Sequence, residues 1–347
     1  MPTTPRPTDS VQSEPPDHAG SVPFLPPRLL AHRHLQSTLT QAPWRRRRSL
    51  AGARELLAAT VAEIVNCGDG IRLQGFLSTP GTAARGTVVL LHGWEGSADS
   101  NYILSAGSAL LAAGFSVFRL NLRDHGDTKA LNEGLFHSCR IDEVFNAVAR
   151  VRERHAPDRF AIVGQSLGGN FALRIAARAA RAGLAIDRVI AVCPVLKPTS
   201  TMHALDHGLW FYRRYFLARW RRSLAEKAAA FPHLYRFGDL RRFATLSATT
   251  EYFVENYTEF GSLEQYLEGY AVTGGVLADV AVPTRILLAD DDPVIPVQDL
   301  GSIARPAAIE VSLLSRGGHC GFIDSLTGPS WIDREIVADL GRALDRS

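Results

Sequence analysis

Lysine is nearly absent from this 347-residue chain: Lys129, Lys197 and Lys227 are the only three, so the 38 basic residues are almost all arginine. The excess of one sign is small too, +3 at neutral pH, far from the basic surface with which a nucleic-acid-binding domain meets phosphate. Cysteine is scarce. Cys67, Cys139, Cys193 and Cys320 stand far apart without a CxxC pair, so their spacing suggests neither a zinc site nor a disulfide framework, and buried free thiols are expected. No apolar run reaches the roughly 18 residues that would suggest a spanning helix. The opening MPTTPRPTDSVQSEPPDHAG lacks the apolar centre of a signal peptide. A cytoplasmic protein is the expectation these absences leave. The composition, 46% hydrophobic and 21% charged, excludes a wholly disordered or fibrous chain.

Residues 1–20 are Pro- and Ser-rich with few large apolar side chains, and are expected to form a disordered tail. Residues 21–58 are too apolar for a linker and too irregular for one helix, and are expected to pack on the core, with Arg45 to Arg48 as a solvated face. From residue 59 to 347 the pattern is regular. TVAEIV and IRLQGFLST flank Cys67-Gly68-Asp69-Gly70 as a hairpin. GTVVLLHG, SVFRLNL, RFAIVG, DRVIAVCPVL, TRILLAD and AIEVSLLS are short apolar runs alternating with helical stretches, among them one ending at Gly114 and a last one over 332–344. This alternation predicts an α/β fold with a mostly parallel, doubly wound sheet. The rhythm breaks over about 197–282, far longer than an ordinary connection, which predicts an inserted helical cap. Sixteen of the 29 aromatic residues fall between Trp210 and Tyr270. They suit either the lining of an apolar substrate site or the core of the cap itself.

The sharpest motif is Gly164-Gln165-Ser166-Leu167-Gly168, between the strand RFAIV and the helix GNFALRIAARAA. A serine on such a strand-to-helix turn is lifted above the sheet as a nucleophile, with the backbone N–H of Leu167 at a helix N-terminus where an oxyanion can be received. His92-Gly93-Trp94-Glu95-Gly96 follows the strand TVVLL and offers the N–H of Trp94 as a second oxyanion donor, with His92 bracing the loop. A hydroxyl needs a base and the base an orienting carboxylate, in the chain order Ser, acid, His. ADDDPVIP supplies Asp292, with Asp291 as the alternative, and SRGGHCGF supplies His319 as the base. His125 is placed at the pocket floor. His203 and His207 stand at i and i+4 but lack a third ligand, so no metal is expected. In LWFYRRYFLARWRRSL, Leu209, Phe216, Trp220 and Leu224 share one helical face against Arg214, Arg221 and Arg222, which suits a cap helix or a membrane-surface contact.

PFLPPRLLAHRHLQS, LLHGWEGSADSNYI, GLFHSCRIDEV, ADDDPVIP and GGHCGF, with the Ser166 turn, resemble the α/β-hydrolase superfamily and within it the YheT-like branch. The resemblance spans residues 22–325. It implies an α/β-hydrolase fold with a cap and a catalytic triad of Ser166, Asp292 and His319. It also implies oxyanion donors at Trp94 and Leu167 and no cofactor. The implied activity is hydrolysis of carboxylic esters with short- to medium-chain or lipid-like acyl groups. Acyl transfer to an alcohol or thiol through the same triad is the alternative. The expected partner is a small-molecule ester, with no nucleic acid. The cap matches least, and Asp124 in NLRDHG stands where a glycine is more usual.

Overall fold

The computed structural model describes residues 24–156 and 158–345, so the expected Pro-rich tail lies outside the described residues. The N-terminal segment forms α1 (Arg33–Leu39), α2 (Pro43–Gly52) and α3 (Arg54–Ala58), and it is laid against the core by buried Phe24, Leu30, Gln36 and Leu56. Arg45 departs from the expected solvated face. It is buried and donates to Ser330 Oγ, while Arg47 and Arg48 remain exposed.

β1 (Thr60–Asn66) and β2 (Arg72–Ser78) form the antiparallel hairpin, turned through Gly68 and Gly70 at positive φ. β3 (Thr87–Leu91) is buried throughout. Its Val88 and Leu90 enter one core while Val89 and Leu91 enter the other, the period-two outcome for a strand covered on both faces. α4 (Asn101–Ala112) ends where Gly114, φ +87, lets its own N–H reach Leu111 O and that of Phe115 reach Leu110 O. There follow β4 (Ser116–Leu120), α5 (Ile141–His155), β5 (Phe160–Gln165), α6 (Leu167–Ala182) and β6 (Arg188–Val192).

The insertion consists of α7 (Pro198–His207), α8 (Trp210–Ala230), α9 (Leu246–Tyr257) and α10 (Leu263–Glu268). Polar ends fix these helices. Thr245 and Ser262 cap α9 and α10, and the Asp206 carboxylate accepts the N–H groups of Leu246 and Ser247. The chain then returns through β7 (Thr284–Ala289), β8 (Ile309–Leu314) and α11 (Trp331–Leu344).

The eight strands are ordered β1-β2-β4-β3-β5-β6-β7-β8. β2 is antiparallel to both of its neighbours, and every pair from β4 to β8 is parallel. Side chains of α5 and α6 join the core on one face, which continues into the cap, and those of α4 and α11 join the core on the other. The loops after β3, β5 and β7 therefore meet at the carboxyl ends of the parallel strands, where an open α/β sheet presents its crevice. Among the described residues no helix is long and apolar enough to cross a membrane.

Candidate active site

Ser166 sits between β5 and α6 with φ 55 and ψ −117, a backbone region that a non-glycine residue occupies only under constraint. The flanking glycines show what the turn demands. A Cβ on Gly164 would stand 2.1 Å from Gly168 O, and one on Gly168 would stand 2.2 Å from Leu91 O. Strand, turn and helix are thus closer together than any side chain there allows.

His319 Nε2 lies 3.0 Å from Ser166 Oγ, and His319 Nδ1 lies 2.9 Å from Asp292 Oδ2. The second Asp292 oxygen accepts the N–H groups of Val294 (2.8 Å) and Ile295 (3.0 Å), so the carboxylate is fixed and its remaining oxygen faces the ring. Asp291, the alternative acid, instead accepts Gly318 N–H at 2.8 Å and holds the histidine loop. Burial alone depresses the His319 imidazolium. The Asp292 carboxylate outweighs it and lifts the pKa to about 9.

The N-terminal segment also holds this loop. Ser37 Oγ accepts His319 N–H at 2.9 Å, and the Gln36 amide bonds both Ile323 N–H (2.7 Å) and Ile323 O (2.8 Å). Gly318, φ +53, is packed so that a Cβ would fall 2.3 Å from Arg33 O. Neither Gln36 nor Ser37 is among the candidate site residues of the sequence, although both lie within PFLPPRLLAHRHLQS, one of the segments that carry the resemblance.

Between β3 and α4, the N–H of Gly93 is taken by Tyr102 Oη (2.8 Å) and that of Glu95 by His125 Nε2 (3.2 Å). The N–H groups of Trp94 and Leu167 have no acceptor among the described residues, and both residues line the cavity above Ser166. His92 Nδ1 bonds Gly93 O while its Nε2 accepts Leu122 N–H, and His125 uses Arg123 O and Glu95 N–H in the same way. Each ring must be neutral to accept through Nε2. Burial keeps both so, taking His92 down to about 4 and His125 well below its usual range. His125 is therefore behind the loop and outside the cavity lining, not at the pocket floor as expected.

Cap helix α8 closes over this loop. Trp94 stacks on Phe216 (5.4 Å, 13°) and meets Trp220 edge-on, while Glu95 bonds Ser223 Oγ at 2.8 Å and its carbonyl accepts from Arg219. The cavity beneath measures about 680 Å³. Eight of the sixteen cap aromatics line it, Phe211, Phe216 and Tyr270 among them, and others pack within the cap, as Phe237 does on Tyr235 and Tyr257, while Trp210 is 65% exposed. Each expectation for these aromatics thus describes part of them. Leu209 leaves the apolar face assigned to it. It is the residue before α8 and is 43% exposed, because the helix begins only at Trp210. His203 and His207 stack on each other at the surface, and among the described residues no third ligand joins them. Cys320 lines the cavity and Cys139 is half-buried, so two of the four thiols are less enclosed than expected.

A family model described as "alpha/beta hydrolase fold" matches residues 86–326. A Synechocystis protein named as a candidate esterase is 23% identical over 330 residues, covering 86% of this chain and 87% of its own length. Among solved structures, the Pyrococcus furiosus esterase Pf2001 superposes with a TM-score of 0.52 at 16% identity, over 82% of this chain and 93% of that one. Est1E of Butyrivibrio proteoclasticus, solved with ferulic acid, gives 0.53 at 13% identity, over 82% of this chain and all of the other, 100%. These likenesses agree with the α/β sheet architecture described above. The chain belongs to the alpha/beta hydrolase fold family.

Proposed function

We propose that the protein is a serine hydrolase that cleaves carboxylic esters through an acyl-enzyme on Ser166, within the YheT-like branch. The observation that carries this reading is the hydrogen-bonded line from Asp292 through His319 to Ser166, opening on a cavity beside two unengaged backbone N–H groups. His319 takes the Ser166 proton as Oγ attacks the ester carbonyl. Trp94 N–H and Leu167 N–H receive the oxyanion, and Asp292 steadies the imidazolium. His319 returns the proton to the departing alcohol and then draws one from the water that frees the acid.

The cavity size and its aromatic lining support a short- to medium-chain or aryl acyl group. Hydrolysis rates of p-nitrophenyl esters from acetate to palmitate should rise to an optimum and then fall as the chain outgrows the enclosed volume. A flat profile, or one still rising at palmitate, contradicts this fit. A wild type that releases acid only slowly but esterifies an added alcohol or thiol would show acyl transfer instead.

The same geometry sets a pH dependence. Only neutral His319 can take the proton, and its pKa is raised to about 9, so kcat/KM should fall about tenfold per unit as pH drops below that value. Asp292→Asn should shift this limb to lower pH. A wild-type limb near the unperturbed histidine value, about 6.5, contradicts the Asp292–His319 coupling.

A further inference from the structure

Cys193 and Cys320 are far apart in sequence, but the fold brings them together beside the histidine of the site. Cys193 is the residue after β6 and is fully buried, and Cys320 follows His319 and lines the cavity. One ligand atom from each of Cys193, Cys320 and His319 lies within 4.8 Å of the others, and among the described residues no other group of three such side chains converges so. The two thiols bond each other, and their contacts to carbonyls are long: Cys193 Sγ is 3.9 Å from Gly318 O and Cys320 Sγ is 3.7 Å from Val192 O. Both cysteines also hold left-handed backbone, φ 43 and φ 55, where a non-glycine residue persists only if its surroundings impose it.

We propose that Cys193, Cys320 and His319 form a binding site for a soft divalent cation of the zinc and cadmium class, and that filling it switches the triad off. Thiolate and imidazole are the donors such ions prefer. Bonds of about 2.3 Å to sulfur and 2.0–2.1 Å to nitrogen at tetrahedral angles place ligand atoms roughly 3.5–3.8 Å apart, so the cluster, within 4.8 Å, closes on an ion by a contraction of at most about 1.3 Å. Asp292 already holds His319 Nδ1, which leaves Nε2 to coordinate and reproduces the carboxylate–histidine–metal arrangement. On binding, each thiol gives its proton to solvent, as does the His319 imidazolium at pH below about 9, and two sulfur–metal bonds and one nitrogen–metal bond form. Nε2 then no longer accepts from Ser166 Oγ, and the general base is lost. Hard cations such as magnesium lack affinity for these donors.

The test titrates cadmium into the reduced, chelator-stripped full-length protein and follows both the ultraviolet thiolate–cadmium charge-transfer band and ester hydrolysis. The expected result is a band that saturates at one ion per chain, a parallel loss of activity and recovery of both signals on chelation. Cys193→Ala, which removes a buried ligand and leaves the cavity wall in place, should keep its basal activity. It should show no band at that concentration and need more than about tenfold more cadmium for inhibition, since losing even an outer partner of a metal ligand costs that much. Cys193→Ser is the second variant if alanine impairs folding. Equal sensitivity of the variant and wild type, or no band in wild type, overturns the proposal. The band reports the site whether or not the chain hydrolyses esters, so failure here is distinct from failure of the hydrolase reading.

Discussion

Ser166→Ala should lower kcat for ester hydrolysis by about 10⁶, the scale on which removal of a triad serine acts, and should leave folding unaffected. The Oγ atom is the only group at the turn that can bond the carbonyl carbon, and His319 points at it from 3.0 Å. What survives is the cavity and the two backbone N–H groups, which alone leave a residual of roughly 10³–10⁴ over water. Alanine keeps the strained backbone of the serine, so the turn is neither relieved nor further loaded. Steady-state rates on a p-nitrophenyl ester, with thermal unfolding run in parallel, check the expectation. An alanine variant that retains its rate would remove Ser166 from the mechanism.

The second large effect is on stability, and it comes from the residue where the resemblance leads one to expect glycine. Asp124 holds φ 58, which aspartate tolerates better than most side chains. Its carboxylate accepts Lys227 Nζ at 2.8 Å and Phe136 N–H at 2.8 Å. Lys227, on cap helix α8, is 1% exposed at its side chain and also donates to the carbonyls of Asn132 (2.5 Å) and Lys129 (3.2 Å). Burial lowers the ammonium pKa and raises that of the carboxyl, and their mutual attraction works against both shifts. A pair in this condition adds little compared with apolar packing, but removing one partner strands the other charge. Lys227→Met should therefore destabilise the protein by about 3–5 kcal/mol. Urea unfolding monitored by circular dichroism reads this as a lower midpoint. A change under about 1 kcal/mol would mean that water, and not Lys227, solvates Asp124.

What the sequence reveals follows the range over which each feature is determined. The serine turn is a five-residue pattern whose glycines answer contacts within the turn or with the adjoining β3, so strand, motif and helix can be read together. Asp292 and His319 follow from chain order once that turn is recognised, each lying after a strand of the parallel sheet, the buried β7 and the edge strand β8. The N–H of Trp94 is distinguished from its neighbours only by the partners of Gly93 and Glu95, Tyr102 and His125, and the second of these comes from beyond the next strand. The anchoring of the histidine loop by Gln36 and Ser37 joins opposite ends of the chain. Neither a glutamine nor a serine in a short helix signals that role. A lone Lys227 amid arginines looks like another solvated charge until the fold closes the Asp124 carboxylate and the carbonyls of Lys129, Asn132 and Gly134 around it. Arg45 misleads in the same way, since one member of a basic run is buried on Ser330 while others stay at the surface.

Intact-mass spectrometry after reaction with a fluorophosphonate tests most directly whether Ser166 carries the acyl group. One stoichiometric adduct is expected, mapped by peptide sequencing to Ser166, absent from Ser166→Ala and formed more slowly as pH falls below about 9 with the protonation of His319. An unmodified wild type, or an adduct that maps elsewhere and persists in Ser166→Ala, would contradict that role of Ser166.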